Sequence, residues 1–182
     1  MLFRSANGSP IGDSMPLLIA LGSQVVLRHG DVERTLPMEA LYLDYKKQAR
    51  APGEWVGSVR VPVRDAELKV AAYKNSKRNE QDISAVCIAI ALRRDGADVR
   101  DVRIALGGMA GVPRRARATE AALEGRPWSE ANVRRAMAAM AGEFTPMTDM
   151  RASASYRMRV AQNLLLRYFH ESGDVAVESR VY

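Results

Sequence analysis

The chain has 182 residues, and 27 lysines and arginines against 21 aspartates and glutamates give it a net charge of +6. Its one cysteine, Cys87, excludes a disulfide framework within the chain. Cys87 and the two distant histidines, His29 and His170, do not form a ligand set for zinc or an iron–sulfur cluster. No run of about 20 apolar residues is present, so no membrane-spanning segment is predicted.

A hydrophobic fraction of 47% and a charged fraction of 26% are typical of a globular protein. The basic residues are scattered among acidic ones and form no basic patch in the sequence. The hypothesis of a nucleic-acid-binding module is therefore supported by the net charge alone, and we rank it below the functions inferred next. Cysteine usage fits a reducing compartment, and we expect the protein in the cytoplasm.

The first third of the chain predicts short elements that cannot form a core alone, since an isolated hairpin is marginal in water. We therefore expect residues 1–62 to be the tail of a larger domain. The predicted elements are, in order, a turn cluster at 5–13, a helix at 14–23, a hairpin at 24–37, a short helical or irregular stretch at 38–49, a turn at 51–54 and a strand at 55–63. Asp13 or Ser14 is the expected N-cap of the helix.

From about residue 64 the pattern predicts three strands followed by three helices. They are strands at 67–76, 83–94 and 99–109, with a polar loop at 77–82, and helices at 114–125, 129–144 and from after Asp149 to about 172. This order predicts an α+β fold in which three helices cover one face of a three-stranded antiparallel sheet. In the last helix apolar residues recur every four positions and predict its apolar face, which comprises Tyr156, Val160, Leu164 and Tyr168 beside Ala161, Leu165 and Phe169. Trp55 and Trp128 are expected to be packing residues.

Two segments could bind an anion, although neither is decisive alone. The turn at 7–13 presents backbone N–H groups just before a helix, which suits a diphosphate, but an ordinary turn capped by Asp13 is the commoner meaning of such a pattern. Lys74, Lys77 and Arg78 lie in or beside the loop that follows a strand, where a lysine can hold an anionic cofactor oxygen. A solvated charged loop is the alternative.

Five segments follow one another with characteristic spacing, namely NGSPIGDSMPLLIALGS, RTLPMEALYLDYKKQARAPGEWVGSVRVP, YKNSKRNEQDISAVCIAIAL, ALGGMAGVPRRA and DMRASASYRMRVAQNLLLRY. In this order they resemble the FAD-binding subunit or domain of the molybdenum hydroxylases over residues 6–172. The resemblance implies a C-terminal remnant of an FAD-binding (PCMH-type) domain at 1–63. It implies a domain like the CO dehydrogenase flavoprotein C-terminal domain at 64–182.

The resemblance also implies FAD contacts at Asp13, Val56 and Lys74. It places the loop at 75–81 near the flavin, where Lys77 and Arg78 would shape the field that NAD encounters. No catalytic residue and no metal ligand is implied on this chain.

The function implied is that of the FAD-binding component of a xanthine dehydrogenase-type molybdenum hydroxylase of purine catabolism. Such a component passes electrons from iron–sulfur clusters through FAD to NAD. The implied partners are an iron–sulfur domain, the first FAD-binding lobe and a large subunit with the molybdenum cofactor. The alternative is a truncated, cofactor-free domain that only packs against partner subunits. It rests on the absence of the family's first FAD-binding lobe from this sequence, and Leu2–Ser5 also stand where the family has a Gly-Gly-Asn-Ile segment.

Overall fold

The computed structural model describes residues 8–63, 65–77 and 83–173. Its elements are α1 (Ser14–Ala20), β1 (Gln24–His29), β2 (Val32–Pro37), α2 (Met38–Leu41), β3 (Tyr42–Asp44), β4 (Lys47–Gln48), β5 (Trp55–Arg60), β6 (Lys69–Asn75), β7 (Val86–Asp95), β8 (Asp98–Gly107), β9 (Arg114–Arg115), α3 (Arg117–Ala121), α4 (Glu130–Glu143) and α5 (Ala154–Ser172). Within these ranges no helix has both the length and the apolar character needed to cross a membrane.

The central feature is an antiparallel sheet in the order β6-β7-β8-β9. Its middle strands are buried on both faces, and their side chains alternate in size. Isoleucine, leucine and valine point to one face, whereas Ala89, Ala91 and Ala105 point to the other. Strand side chains alternate between faces, so each strand has one face of each kind. We call the face with isoleucine, leucine and valine the bulky face, and the face with Ala89, Ala91 and Ala105 the smooth face.

Helices α3, α4 and α5 lie on the bulky face, where residues from β7, β8, α4 and α5 form the larger hydrophobic cluster with Ala116 and Leu123, which flank α3. Ser129 caps α4 by accepting a hydrogen bond from the Asn132 amide at 3.4 Å. The buried face of α5 includes Tyr168, as predicted, but Tyr156 is 48% exposed and that part of the prediction is wrong. Arg157 takes the inward position one residue later.

Helix α1 and a second sheet, in the order β2-β1-β5, lie on the smooth face. The alanines there leave room for α1 to approach β7 and β8 closely. A second hydrophobic cluster therefore joins residues from both halves of the chain, including Met15, Ile19 and Leu27 with Ala89 and Ala105.

The α+β class, with an antiparallel sheet covered by three helices, is confirmed, but the sheet has four strands rather than the predicted three because the short β9 is added at the edge of β8. The helix predicted at 114–125 is shorter, because Arg114 and Arg115 instead pair as a strand with the edge of β8. The stretch at 38–49 contains α2 and the small β3–β4 pair. Trp128 packs in the core, whereas Trp55 is 51% exposed and its predicted packing role is wrong.

A buried carboxylate ties α3 to the sheet and provides a test of this packing. Glu120 accepts a hydrogen bond from the Ile104 amide at 2.7 Å and a bidentate pair of hydrogen bonds from the Arg115 guanidinium at 2.8 and 2.9 Å. Glu120→Ala leaves that amide and a largely buried guanidinium without their main acceptor, so we expect a loss of about 3 kcal/mol in the free energy of unfolding in urea.

The matched control is Glu130→Ala, because Glu130 forms an exposed pair with Arg134 at 2.6 Å. That change should cost at most about 0.5 kcal/mol. Equal losses in the two variants would contradict the role assigned to Glu120.

Candidate functional site

The turn before α1 is seated on one end of the central sheet. The Gly108 amide, just after β8, donates a hydrogen bond to the Pro10 carbonyl at 2.6 Å. A Cβ atom on Gly107 would lie 3.2 Å from the Pro10 oxygen and 3.3 Å from Cγ of Pro16. The paired glycines therefore allow the turn to lie directly against the sheet.

Asp13 ends this turn and is the centre of a polar cluster. Its Oδ2 lies 2.9 Å from Nζ of Lys74, and its Oδ1 accepts a hydrogen bond from the Ser84 hydroxyl. The carboxylate makes no capping hydrogen bond to α1, although Asp13 occupies the N-cap position. The expectation of a side-chain cap is thus wrong, because the carboxylate is directed across to the sheet instead.

The strand register explains how Lys74 reaches this cluster. Lys74 on β6 is paired with Cys87 on β7, so both side chains lie on the smooth face beside the turn. The Cys87 thiol lies 3.6 Å from the Asp13 carbonyl oxygen. Burial, together with the nearby Asp13 charge, raises the pKa of Cys87 to about 12, so at neutral pH this thiol is protonated and is not a nucleophile.

Of the three predicted FAD contacts, the structure joins Asp13 and Lys74 directly. Val56 lies in the other sheet, paired with Leu27, and packs against the second cluster. Lys77 donates a hydrogen bond to the Met150 carbonyl at 2.7 Å. Arg78 and the rest of the loop through Gln81 lie outside the described residues.

Behind the cluster lies an ion pair between a buried arginine and a partly buried aspartate, which the sequence patterns did not predict. Arg157 is 1% exposed, and its Nη2 lies 2.7 Å from Oδ1 of Asp149. Its Nη1 donates to the carbonyl of Ala85 and, at 3.2 Å, to that of Gly108. The signal in the sequence was a charged residue in phase with Ala161 and Leu165, four and eight positions later.

The chemistry of the exposed pair fits a polar cofactor. The Asp13 and Lys74 side chains are 41% and 42% exposed, so a ligand can reach an ammonium donor and a carboxylate acceptor together. Such groups match the hydroxyl groups and anionic oxygens of a flavin nucleotide. In the part of the chain that the structure describes, no group of three or more His, Cys, Asp and Glu side chains could hold a metal ion.

Comparison with known families assigns both halves of the chain. The model of the CO dehydrogenase flavoprotein C-terminal domain matches residues 71–172, which is more than half of the chain. The chain belongs to this flavoprotein family. The model of the FAD-binding domain in molybdopterin dehydrogenase matches residues 5–64. The Asp13 turn and Lys74 thus come from segments that match different models, and the domain boundary at 63/64 stays a prediction.

Relatives of this flavoprotein include enzymes and a solved structure. Nicotinate hydroxylase of Emericella nidulans is 34% identical over 91% of this chain and 13% of its own length. Xanthine dehydrogenase of the same organism is 31% identical over 91% of this chain and 12% of its own length.

The solved carbon monoxide dehydrogenase of Hydrogenophaga pseudoflava has a chain that superposes with a TM-score of 0.83 at 30% identity. The match covers 89% of this chain and 56% of that chain. The flavoprotein therefore spans a little over half of the length of this solved relative.

The Asp149–Arg157 pair makes the free energy of unfolding depend on pH in the acidic range. Burial alone would raise the pKa of Asp149, but hydrogen bonds from the Arg151 amide and the Arg157 guanidinium outweigh it and lower the pKa to about 2. Its contribution to stability is complete above its ordinary pKa of 3.8 and is lost as pH falls toward 2. We expect Asp149→Asn to lower the free energy of unfolding at pH 7 by about 2 kcal/mol.

This difference from wild type should shrink between pH 4 and pH 2, measured by urea unfolding at several pH values. Asp31→Asn, at an exposed turn, is the control and should track wild type throughout. A difference that stays constant down to pH 2.5 would contradict the assignment.

Proposed function

We propose that this flavoprotein is the FAD-holding component of a xanthine dehydrogenase-type molybdenum hydroxylase. The observation that carries the proposal is the Asp13–Lys74 ion pair at 2.9 Å. It brings together two residues for which the family resemblance implies FAD contact. They lie 61 positions apart in the chain.

When bound, FAD would carry electrons from iron–sulfur clusters of a partner domain to NAD. The residues of this chain would hold and orient the cofactor, while the chemistry belongs to the cofactor itself. Lys74 would place a positive charge beside the cofactor. That charge would favour the reduced flavin, because the reduced ring carries more negative charge than the oxidised ring. Ser84, buried behind the pair, would keep the Asp13 carboxylate in one orientation.

The wider assembly belongs to the same proposal. An iron–sulfur domain, the first FAD-binding lobe and a molybdenum-cofactor-binding large subunit are the partners, and a purine such as xanthine is hydroxylated on the large subunit. The match to enzymes named as hydroxylases and dehydrogenases supports this assignment. The cytoplasm is the proposed compartment.

An FAD titration of the purified chain, followed by flavin absorbance near 450 nm and by fluorescence, tests the proposal. We expect wild type to bind FAD and Lys74→Ala to weaken binding by about tenfold or more, because a charge-assisted hydrogen bond is lost. Lys69→Ala is the matched control, since Lys69 lies on the same strand, about 17 Å from Lys74 along the chain.

Unchanged affinity in Lys74→Ala, or the same loss in Lys69→Ala, would overturn the role of the ion pair. A folded wild-type chain that ignores FAD would overturn FAD binding by this chain. The alternative would then hold, namely a cofactor-free domain that packs against partner subunits.

A further inference from the structure

We infer that Arg157 is a positioning residue for the cofactor site and acts on Asp13 through two backbone connections. This inference rests on the proposed function, since the site it positions is the one proposed for FAD. Arg157 ends the stretch RASASYR in the last segment that contributes to the family resemblance, but no role was assigned to it there. Its role follows from which atoms its guanidinium contacts.

The first connection runs through the start of β7. Nη1 of Arg157 donates to the carbonyl of Ala85, the residue that follows Ser84. The Ala85 amide donates to the Asn75 carbonyl at 2.8 Å, which fixes this segment next to Lys74 at the end of β6. The Ser84 hydroxyl in turn donates a hydrogen bond to the Asp13 carboxylate. A shift of Ala85 would therefore move a direct partner of the Asp13 carboxylate.

The second connection runs through the end of β8. The same Nη1 donates to the Gly108 carbonyl at 3.2 Å, and the Gly108 amide holds the Pro10 carbonyl of the turn at 2.6 Å. Gly108 has a φ of +81°, and a Cβ atom there would lie 2.2 Å from the Ala85 oxygen. The two connections thus meet where the backbone of Gly108, the Ala85 carbonyl and the Arg157 guanidinium are too close to leave room for a side chain at position 108.

The charge of Arg157 is stabilised by a partner that does not touch the site. Asp149 accepts from the other terminal nitrogen, Nη2, and it also accepts from the amides of Arg151 at 2.8 Å and Ala152 at 3.2 Å. Among the residues that the structure describes, none accepts a hydrogen bond from Nε of Arg157. Burying a cation with one donor unsatisfied is costly, so stability alone does not explain an arginine here, and its contacts to the Ala85 and Gly108 carbonyls point to positioning.

Arg157→Met, measured by amide hydrogen exchange of the cofactor-free chain and by FAD titration, tests the inference. We expect the Gly108 amide to exchange at least about tenfold faster, while Ile88 and Ile90 in the middle of β7 stay within about twofold of wild type. FAD affinity should fall by about tenfold, because positions fixed by supporting contacts loosen when those contacts are removed. The bound-flavin absorbance maximum should also move toward that of free FAD.

Arg157→Lys restores the charge without the guanidinium fork and should give intermediate values for both readouts. Arg159→Met is the matched control, because Arg159 is an exposed residue on the same helix. If Arg157→Met fails to fold, the double variant Arg157→Met/Asp149→Asn removes the unpaired charge as well and serves in its place.

Equal acceleration of all slow amides would mean that Arg157 supplies stability only, and it would overturn the inference. Unchanged exchange at Gly108 would overturn it as well. If wild type does not bind FAD, the proposed function fails by itself. The exchange data then decide whether Arg157 holds the Asp13 turn.

Discussion

The structure depends on the division of large and small side chains between the two faces of β7 and β8. Branched residues on one face give three helices a deep core, and alanines and glycine on the other let α1 and its preceding turn approach the backbone. A sheet with bulky residues on both faces would hold the turn farther away. Lys74 could then not reach Asp13, so the size alternation is a condition for the site.

The candidate site is built from ends rather than from centres of elements. Asp13 precedes α1, Ser84 precedes β7, Lys74 is near the end of β6 and Gly108 follows β8. Residues at such ends can present polar groups to solvent without interrupting a ladder or a core. Their positions must then be fixed by specific contacts, and here a carboxylate, a hydroxyl and a guanidinium supply them.

Much of the fold could be predicted from sequence, because the periodicity of apolar residues and the positions of turn residues reflect local structure. The hairpin at β1–β2 and the capped start of α4 follow from such signals. The shortened α3 could not be predicted, because the open edge of β8 competes for Arg114 and Arg115, and that edge exists only in the folded sheet. The orientation of the Asp13 carboxylate was missed for the same reason, since its partners are distant in sequence. Arg157 was missed because an arginine on a helix is usually solvated.

The second hydrophobic cluster has a consequence for how the molecule unfolds. Met15 and Ile19 come from the segment before residue 64, and Ala89 and Ala105 come from the segment after it, yet they share one core. Neither segment can leave without exposing the apolar surface of the other. The two segments on either side of the boundary suggested by the family models should therefore not unfold independently. Heating should produce a single cooperative transition. An excised C-terminal segment would expose a smooth apolar sheet face, which favours self-association.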